Sequence, residues 1–142
     1  MNTYTKGGEK HMTIDITIKV DLQKISDVLC SAFEGGSNYW YMLEKKIAPK
    51  KWTFGEITES GNHWAWDYAL NKGGALIISD EVALDEGEEK REERLDLDSI
   101  KNGLLVMARD YPGHFANLMD DYDAETGDVF LQCCLFGDII YS

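Results

Sequence analysis

The sequence predicts one α+β domain, an antiparallel sheet of about four to five strands with three to four helices packed on one face. Three observations carry this expectation. Residues 13–20 alternate apolar and polar side chains with a period of two. Later stretches repeat apolar residues every three or four positions. Glycine-rich turns separate short apolar runs. At 142 residues the chain has the size of one domain and can bury a core without disulfide staples.

The first eleven residues are polar and aperiodic, and Met12 resembles a second start ahead of a clean pattern. Residues 1–11 are therefore set apart as a leader or extension, and 12–142 as the domain. Ile14, Ile16, Ile18 and Val20 share one face of an expected half-buried strand, with Asp15, Thr17 and Lys19 on the other. Asp21 is placed to cap a helix reaching about Glu34, whose stripe is Leu22, Ile25, Val28, Leu29, Ala32 and Phe33. Gly35-Gly36 ends it in the manner of a glycine C-cap.

Residues 39–47 fit a strand or a short helix closed by Pro49, and residues 52–57 fit a further extended segment. Trp64, Trp66 and Tyr68 fall on alternate positions. With the turn Asn71-Lys72-Gly73-Gly74 and the apolar run 75–79 they predict a hairpin. Residues 80–93 form a charged connection, and residues 94–97 a short edge strand. Asp98 or Ser99 then caps a helix that buries Ile100, Leu104, Leu105, Ala108 and Tyr111. Pro112 suits the first turn of the next helix, with Phe115, Leu118, Met119 and Tyr122 on its inner side. Residues 129–136 are apolar except for Gln132 and read as a buried helix ending at Gly137, followed by a terminal strand at 139–141.

Net charge is −12, and the acids are unevenly placed. Lys90, Arg91 and Arg94 relieve the acids of residues 80–98, whereas Asp120, Asp121, Asp123, Glu125 and Asp128 have no basic residue among them. Such a surface repels nucleic acid and anionic membranes and suits a basic protein partner. No apolar run approaches the roughly 20 residues of a membrane span, and no signal peptide pattern is present, so the cytoplasm is the expected compartment. Cys30, Cys133 and Cys134 are too few and too awkwardly spaced for a disulfide framework and are expected to be reduced.

Catalytic and metal motifs fail on spacing. With Asp121 as position one of a calcium loop, glycine falls at seven rather than six, and position twelve is Gln132 instead of a bidentate Glu. No second Cys or His pair stands at zinc-finger spacing. His63 and His114 lack an activating context with any thiol. Gly35-Gly36 and Gly73-Gly74 lack the Lys-Ser/Thr of a phosphate loop. No catalytic residue, metal or cofactor is expected.

The aromatic residues remain. Gly35, Gly36, Asn38, Tyr39, Trp40 and Tyr41, joined by Trp64 and Trp66 and by the nearby Lys45 and Lys46, are the candidate binding residues. Rings with polar tips can fill a core, stack on a base or sugar, or anchor a protein interface.

Four blocks, Glu34-Gly35-Gly36-Ser37-Asn38-Tyr39-Trp40, Gly73-Gly74-Ala75-Leu76-Ile77-Ile78, Tyr111-Pro112-Gly113-His114-Phe115 and the stretch from Asp123 through Gly137, resemble a family of small acidic proteins of phages and prophages. The likeness runs from Met12 to Tyr141. It implies a phage accessory protein in the cytoplasm of a bacterial host and carries no assigned activity. The resulting expectation is a non-enzymatic protein that binds a host protein with a basic surface to counter a defence system, without direct contact to nucleic acid or membrane. Two alternatives stand beside it: a sponge for a nucleotide signal built on Trp40, Trp64, Trp66 and the lysines, and a structural factor that self-associates, for instance as a homodimer.

Overall fold

The computed structural model of the chain describes residues 2–6, 9–50, 67–82, 86–89 and 91–142, with side chains from residue 12 onward. Among the described residues, four α-helices and a three-stranded antiparallel sheet make an α+β domain, with a separate two-stranded hairpin at the start of the chain.

Three of the four described helices begin where a short polar side chain satisfies free amides, and the fourth begins at a proline. Asp21 accepts from the Gln23 amide at 2.9 Å and opens α1 (Leu22–Ser31). Helix α1 buries Ile25, Val28 and Leu29 and runs on into one π-helical turn, Ala32–Gly36. Asp96 and Ser99 cap each other's backbone amides ahead of α2 (Leu97–Asp110). Pro112 takes the first position of α3 (Pro112–Met119), where its missing N–H costs nothing. Asp123 and Thr126 form a second reciprocal cap at the start of α4 (Ala124–Phe136), and Gly137 ends that helix in the left-handed conformation, φ 72°.

Helix α4 is buried from Thr126 to Leu135 and packs against α1, the π turn, α2 and α3. Two glycines permit this. A Cβ on Gly103 of α2 would lie 2.4 Å from Cys134 Sγ, and one on Gly127 would lie 2.8 Å from the Val28 carbonyl oxygen. The helix backbones therefore approach more closely than any side chain would allow.

Among the described residues, strands β1 (Asn2–Lys6) and β2 (Glu9–Thr13) pair with each other, whereas β3 (Tyr41–Ile47), β4 (Ala75–Asp80) and β5 (Glu92–Leu95) form the main sheet with β4 in the centre. Tyr41 pairs with Asp80 and Ile47 with Ala75, with a bulge between Leu43 and Lys45. On the other edge Leu76 pairs with Leu95. Leu76, Ile78 and Leu95 join Ile25, Leu29, Trp40, Met107, Phe130 and Leu131 in one core.

Several expected elements take another form. Residues 14–20 form no strand, and Ile14 and Ile16 remain 89% and 79% exposed, because no strand among the described residues pairs with them. The main sheet is correspondingly smaller than the four to five strands expected. The hairpin expected across Asn71–Gly74 does not form over its described part. Residues 67–70 are a buried helical turn, and β4 pairs instead with β3 and β5. Gly74 shows why the chain doubles back so tightly there: a Cβ at that position would lie 2.2 Å from the Tyr68 carbonyl oxygen. The expected segment 52–57 and the residues Trp64 and Trp66 lie outside the described residues.

Helix α2 is capped two residues earlier than Asp98, by Asp96. Gly36 serves close approach and not a left-handed turn, since positive φ occurs at Gly73, Gly87 and Gly137 among the described residues. Residues 139–141 are no strand: the Gln132 side chain takes the backbone groups of Ile140 and Tyr141, and the Ile139 amide donates to Asp138 Oδ1.

Candidate functional site

Gly36 sets the geometry around the aromatic triplet. A Cβ there would lie 2.1 Å from the Ala124 carbonyl oxygen, so the π turn sits directly against the first turn of α4. The four residues that follow are thereby laid over Asp128, one turn further along. Ser37 Oγ and Trp40 Nε1 donate to Asp128 Oδ1 at 2.8 and 2.7 Å, and the Tyr39 hydroxyl donates to Oδ2 at 2.6 Å. Hydrogen bonds to a carboxylate are short and strong. Burial first, and then the bond to Asp128, push the Tyr39 phenol above its usual range.

Three adjacent aromatics thus take three different tasks. Trp40 is fully buried, with Phe136 at 5.3 Å, Tyr141 at 5.9 Å and Tyr41 at 6.3 Å between ring centroids. Tyr39 remains 47% exposed on the outer side of the carboxylate. Tyr41 packs edge-on against Phe33 at 5.3 Å, and its hydroxyl donates to the Phe33 carbonyl at 2.8 Å.

Gln132, one turn beyond Asp128, extends this polar spine. Its Oε1 accepts from the amides of Ile140 and Tyr141, both at 2.8 Å, and its Nε2 donates to the Tyr141 carbonyl at 3.0 Å. The Tyr141 hydroxyl in turn donates to Asp80, and burial followed by that bond pushes the phenol up to about 12. The carboxyl terminus is thereby stitched across Trp40 to the end of β4.

The remaining candidate residues are dispersed. Gly35 faces open space, Asn38 is exposed, and Lys45 is exposed on β3. Lys46 places its ammonium 5.7 Å from the centre of the Tyr68 ring. Sequence reasoning passed over Ser37, Asp128 and Gln132, the residues that organise the segment. The available signal was a carboxylate and a carboxamide inside an apolar helix, since buried polar groups demand partners.

The thiols are unsuited to nucleophilic attack. Burial pushes Cys133 up to about 12 and Cys134 well above its ordinary value, and burial together with Glu34 raises Cys30. All three stay protonated at neutral pH. Among the described residues no group of three His, Cys, Asp or Glu side chains could hold a metal ion, and no helix is long and apolar enough to cross a membrane.

Two depressions lie away from the aromatic segment. One, of about 420 Å³, is lined by Gly73, Gly74, Lys72, Arg94, Asp96 and Asp98. The other, of about 250 Å³, is apolar and lies between residues 16–20 and the helices α2 and α3.

The acids gather at a different place. Asp120, Asp121, Asp123 and Glu125 are exposed where α3 hands over to α4, and the contact of Gly36 with Ala124 brings exposed Glu34 and Gly35 to the same end. The chain has no lysine or arginine beyond Arg109. Lys24, which lies 5.5 Å from the centre of the Tyr122 ring, is a cation of this region.

No family model, no curated protein and no solved structure matches the chain.

Proposed function

We propose that the protein is a non-catalytic binding protein that engages a basic surface of a host protein through the acidic corner between α3 and α4. The observation that carries this reading is the exposure of Asp120, Asp121, Asp123 and Glu125 on one corner, in a half of the chain that has no cation after Arg109. A predominantly acidic surface speeds encounter with a basic partner and repels polyanions. The use of Asp128, Ser37 and Trp40 in internal bonds supports a binding role over a catalytic one. The resemblance to small acidic phage and prophage proteins supplies the setting, occupation of a host component in the bacterial cytoplasm to blunt a defence system.

The test is affinity capture from bacterial lysate with the full chain and with the variant Asp120→Lys/Asp121→Lys/Glu125→Lys, which leaves the Asp123 cap intact. The expected result is a basic protein retained by the parent chain, released by salt and absent from the variant. Capture of the same proteins by both chains, or of none at low salt, overturns the reading.

One observation favours a second reading, a binder of small anionic ligands such as a nucleotide signal. The depression of about 420 Å³ has the size of a ligand site and carries Lys72 and Arg94 beside Gly73 and Gly74. Asp96 and Asp98 in the same wall oppose an anion, which places this reading second. Ligand at about 100 times its Kd stabilises a protein by about 2.7 kcal/mol, so a nucleotide panel in a thermal-shift assay decides it. A flat melting temperature across the panel removes it.

A further inference from the structure

We propose that residues 138–141 are a releasable strap, and that the trough beneath them is a peptide site open to a tyrosine-bearing segment of another protein. The strap follows the left-handed Gly137 and has no regular secondary structure. Among the described residues its backbone bonds to no other backbone group, and side chains hold it instead. Gln132 Oε1 accepts from the Ile140 and Tyr141 amides, and Gln132 Nε2 donates to the Tyr141 carbonyl. The Tyr111 hydroxyl donates to Asp138 and the Tyr141 hydroxyl to Asp80. Two consecutive amides gathered on one carboxamide are a main chain read by a side chain, whatever residue stands at 140.

The floor of the trough is held without the strap. Gln132 stands on α4, which packs against α1, α2 and α3, and Trp40 is anchored by its bond to Asp128. Phe136 completes the floor, 5.3 Å from the Trp40 ring. Tyr141 lies on it, 5.9 Å from Trp40 and edge-on to Phe136 at 6.4 Å. A floor fixed in advance needs little ordering when a peptide binds. The strap itself is lightly seated. Ile139 and Tyr141 are partly buried against the core, whereas Ile140 is 49% exposed. The ligand is therefore a peptide with an apolar residue, any residue and a tyrosine in succession. Its two amides and carbonyl meet Gln132, its ring meets Trp40, and its phenol meets Asp80.

Tethering explains why so lightly seated a segment fills the site. A segment on a short tether competes as if present at about millimolar concentration. Against a dissociation constant of about 0.1 mM for the same segment as a free peptide, the strap is closed about ten times as often as open. An outside peptide then binds the parent chain about tenfold more weakly than it binds a chain whose strap is released. A better ligand displaces the strap by shifting that balance. The acidic corner and its basic partner do not enter this inference, so the two stand or fall separately.

Calorimetric titration of the full chain with a peptide of residues 138–142, acetylated and amidated, tests the proposal. Tyr141→Gly in the protein withdraws the ring from Trp40 and the hydroxyl from Asp80, and leaves Gln132 and Trp40 as they are. This variant is expected to fold and to bind the peptide with a Kd of about 0.1 mM, the parent about tenfold more weakly. Ile140→Lys in the peptide is expected to change the Kd by less than about twofold, and Tyr141→Ala in the peptide to raise it about tenfold or more. A peptide N-methylated at residues 140 and 141 has no amide to offer Gln132 and is expected not to bind. The proposal is overturned by a Tyr141→Gly chain that does not fold or whose Kd exceeds about 5 mM. Equal affinity in parent and variant, or undiminished binding of the N-methylated peptide, also overturns it.

Discussion

Replacing Asp128 tests whether its carboxylate holds the Ser37–Trp40 segment in place. In Asp128→Ala the donors Ser37 Oγ, Trp40 Nε1 and the Tyr39 hydroxyl all lose their acceptor. Ser37 and Trp40 are 0% exposed and cannot turn to water, whereas Tyr39 is half exposed and can. Each buried orphaned donor costs about 1–3 kcal/mol. Two of them, with a smaller loss at Tyr39, give a destabilisation of about 3–5 kcal/mol, a large part of the roughly 5–15 kcal/mol of a typical domain. Asp128→Asn keeps the shape. Its carbonyl oxygen can serve Ser37 and Trp40 in the position of Oδ1, and its amide can donate to the Tyr39 oxygen, so its cost is about 1–2 kcal/mol. Urea unfolding at neutral pH, followed by tryptophan fluorescence, measures both. A double-mutant cycle with Tyr39→Phe isolates the outer bond, which should contribute in the parent and almost nothing in Asp128→Ala. A loss of less than about 1 kcal/mol in Asp128→Ala, or a greater loss in the asparagine variant than in the alanine one, would refute the clamp.

Two further predictions follow from the packing and the caps. Gly103→Ala gains about 1 kcal/mol of helix propensity but drives a methyl to within 2.4 Å of Cys134 Sγ and 2.8 Å of Cys134 Cα, so a net loss of about 1–3 kcal/mol is expected. Gly113→Ala in α3 meets nothing within 4 Å and should raise the melting temperature; changes of the same sign in both would contradict the close α2–α4 approach. The second concerns acid. Burial pushes the Asp96 carboxyl up, but the Ser99 amide and the Arg94 guanidinium at 2.9 Å together hold it below its ordinary value. A depressed folded value means stabilisation that is complete above the unfolded value of about 4 and lost as pH falls through the folded one. Thermal melts from neutral pH to about 3 should show that decline, and Asp96→Asn, which keeps a cap but not the charge, should flatten it.

Helix signals in this chain are local and were legible. The stripe of α1 and its cap Asp21, the opening of α3 by Pro112 and the stop of α4 at Gly137 can each be read within a turn or two. The first half of α4 could not. Gly127 and Asp128 are poor helix formers, and only the close approach to α1 and the three donors on the carboxylate explain them. The triplet Tyr39-Trp40-Tyr41 was legible as too many rings for one face, but not the division of labour among them. The alternation of residues 14–20 is present in the sequence as strongly as in any strand, and it failed as a guide to the sheet because pairing needs a neighbour.

By itself the sequence determined what depends on nearby residues: the α+β class, most of the stripe of α1 and the unequal spread of charge; the stripe expected for α2 did not hold, since Leu105 and Ala108 are exposed and Val106 and Met107 are buried in their place. The tertiary structure decided which strands pair, that Gly36, Gly103 and Gly127 are points of contact, and that Ser37, Tyr39 and Trp40 meet at one carboxylate. The physical reason is distance along the chain. Those three bonds span 88 to 91 residues, and no periodicity or propensity within a window of one helix carries information across such a gap.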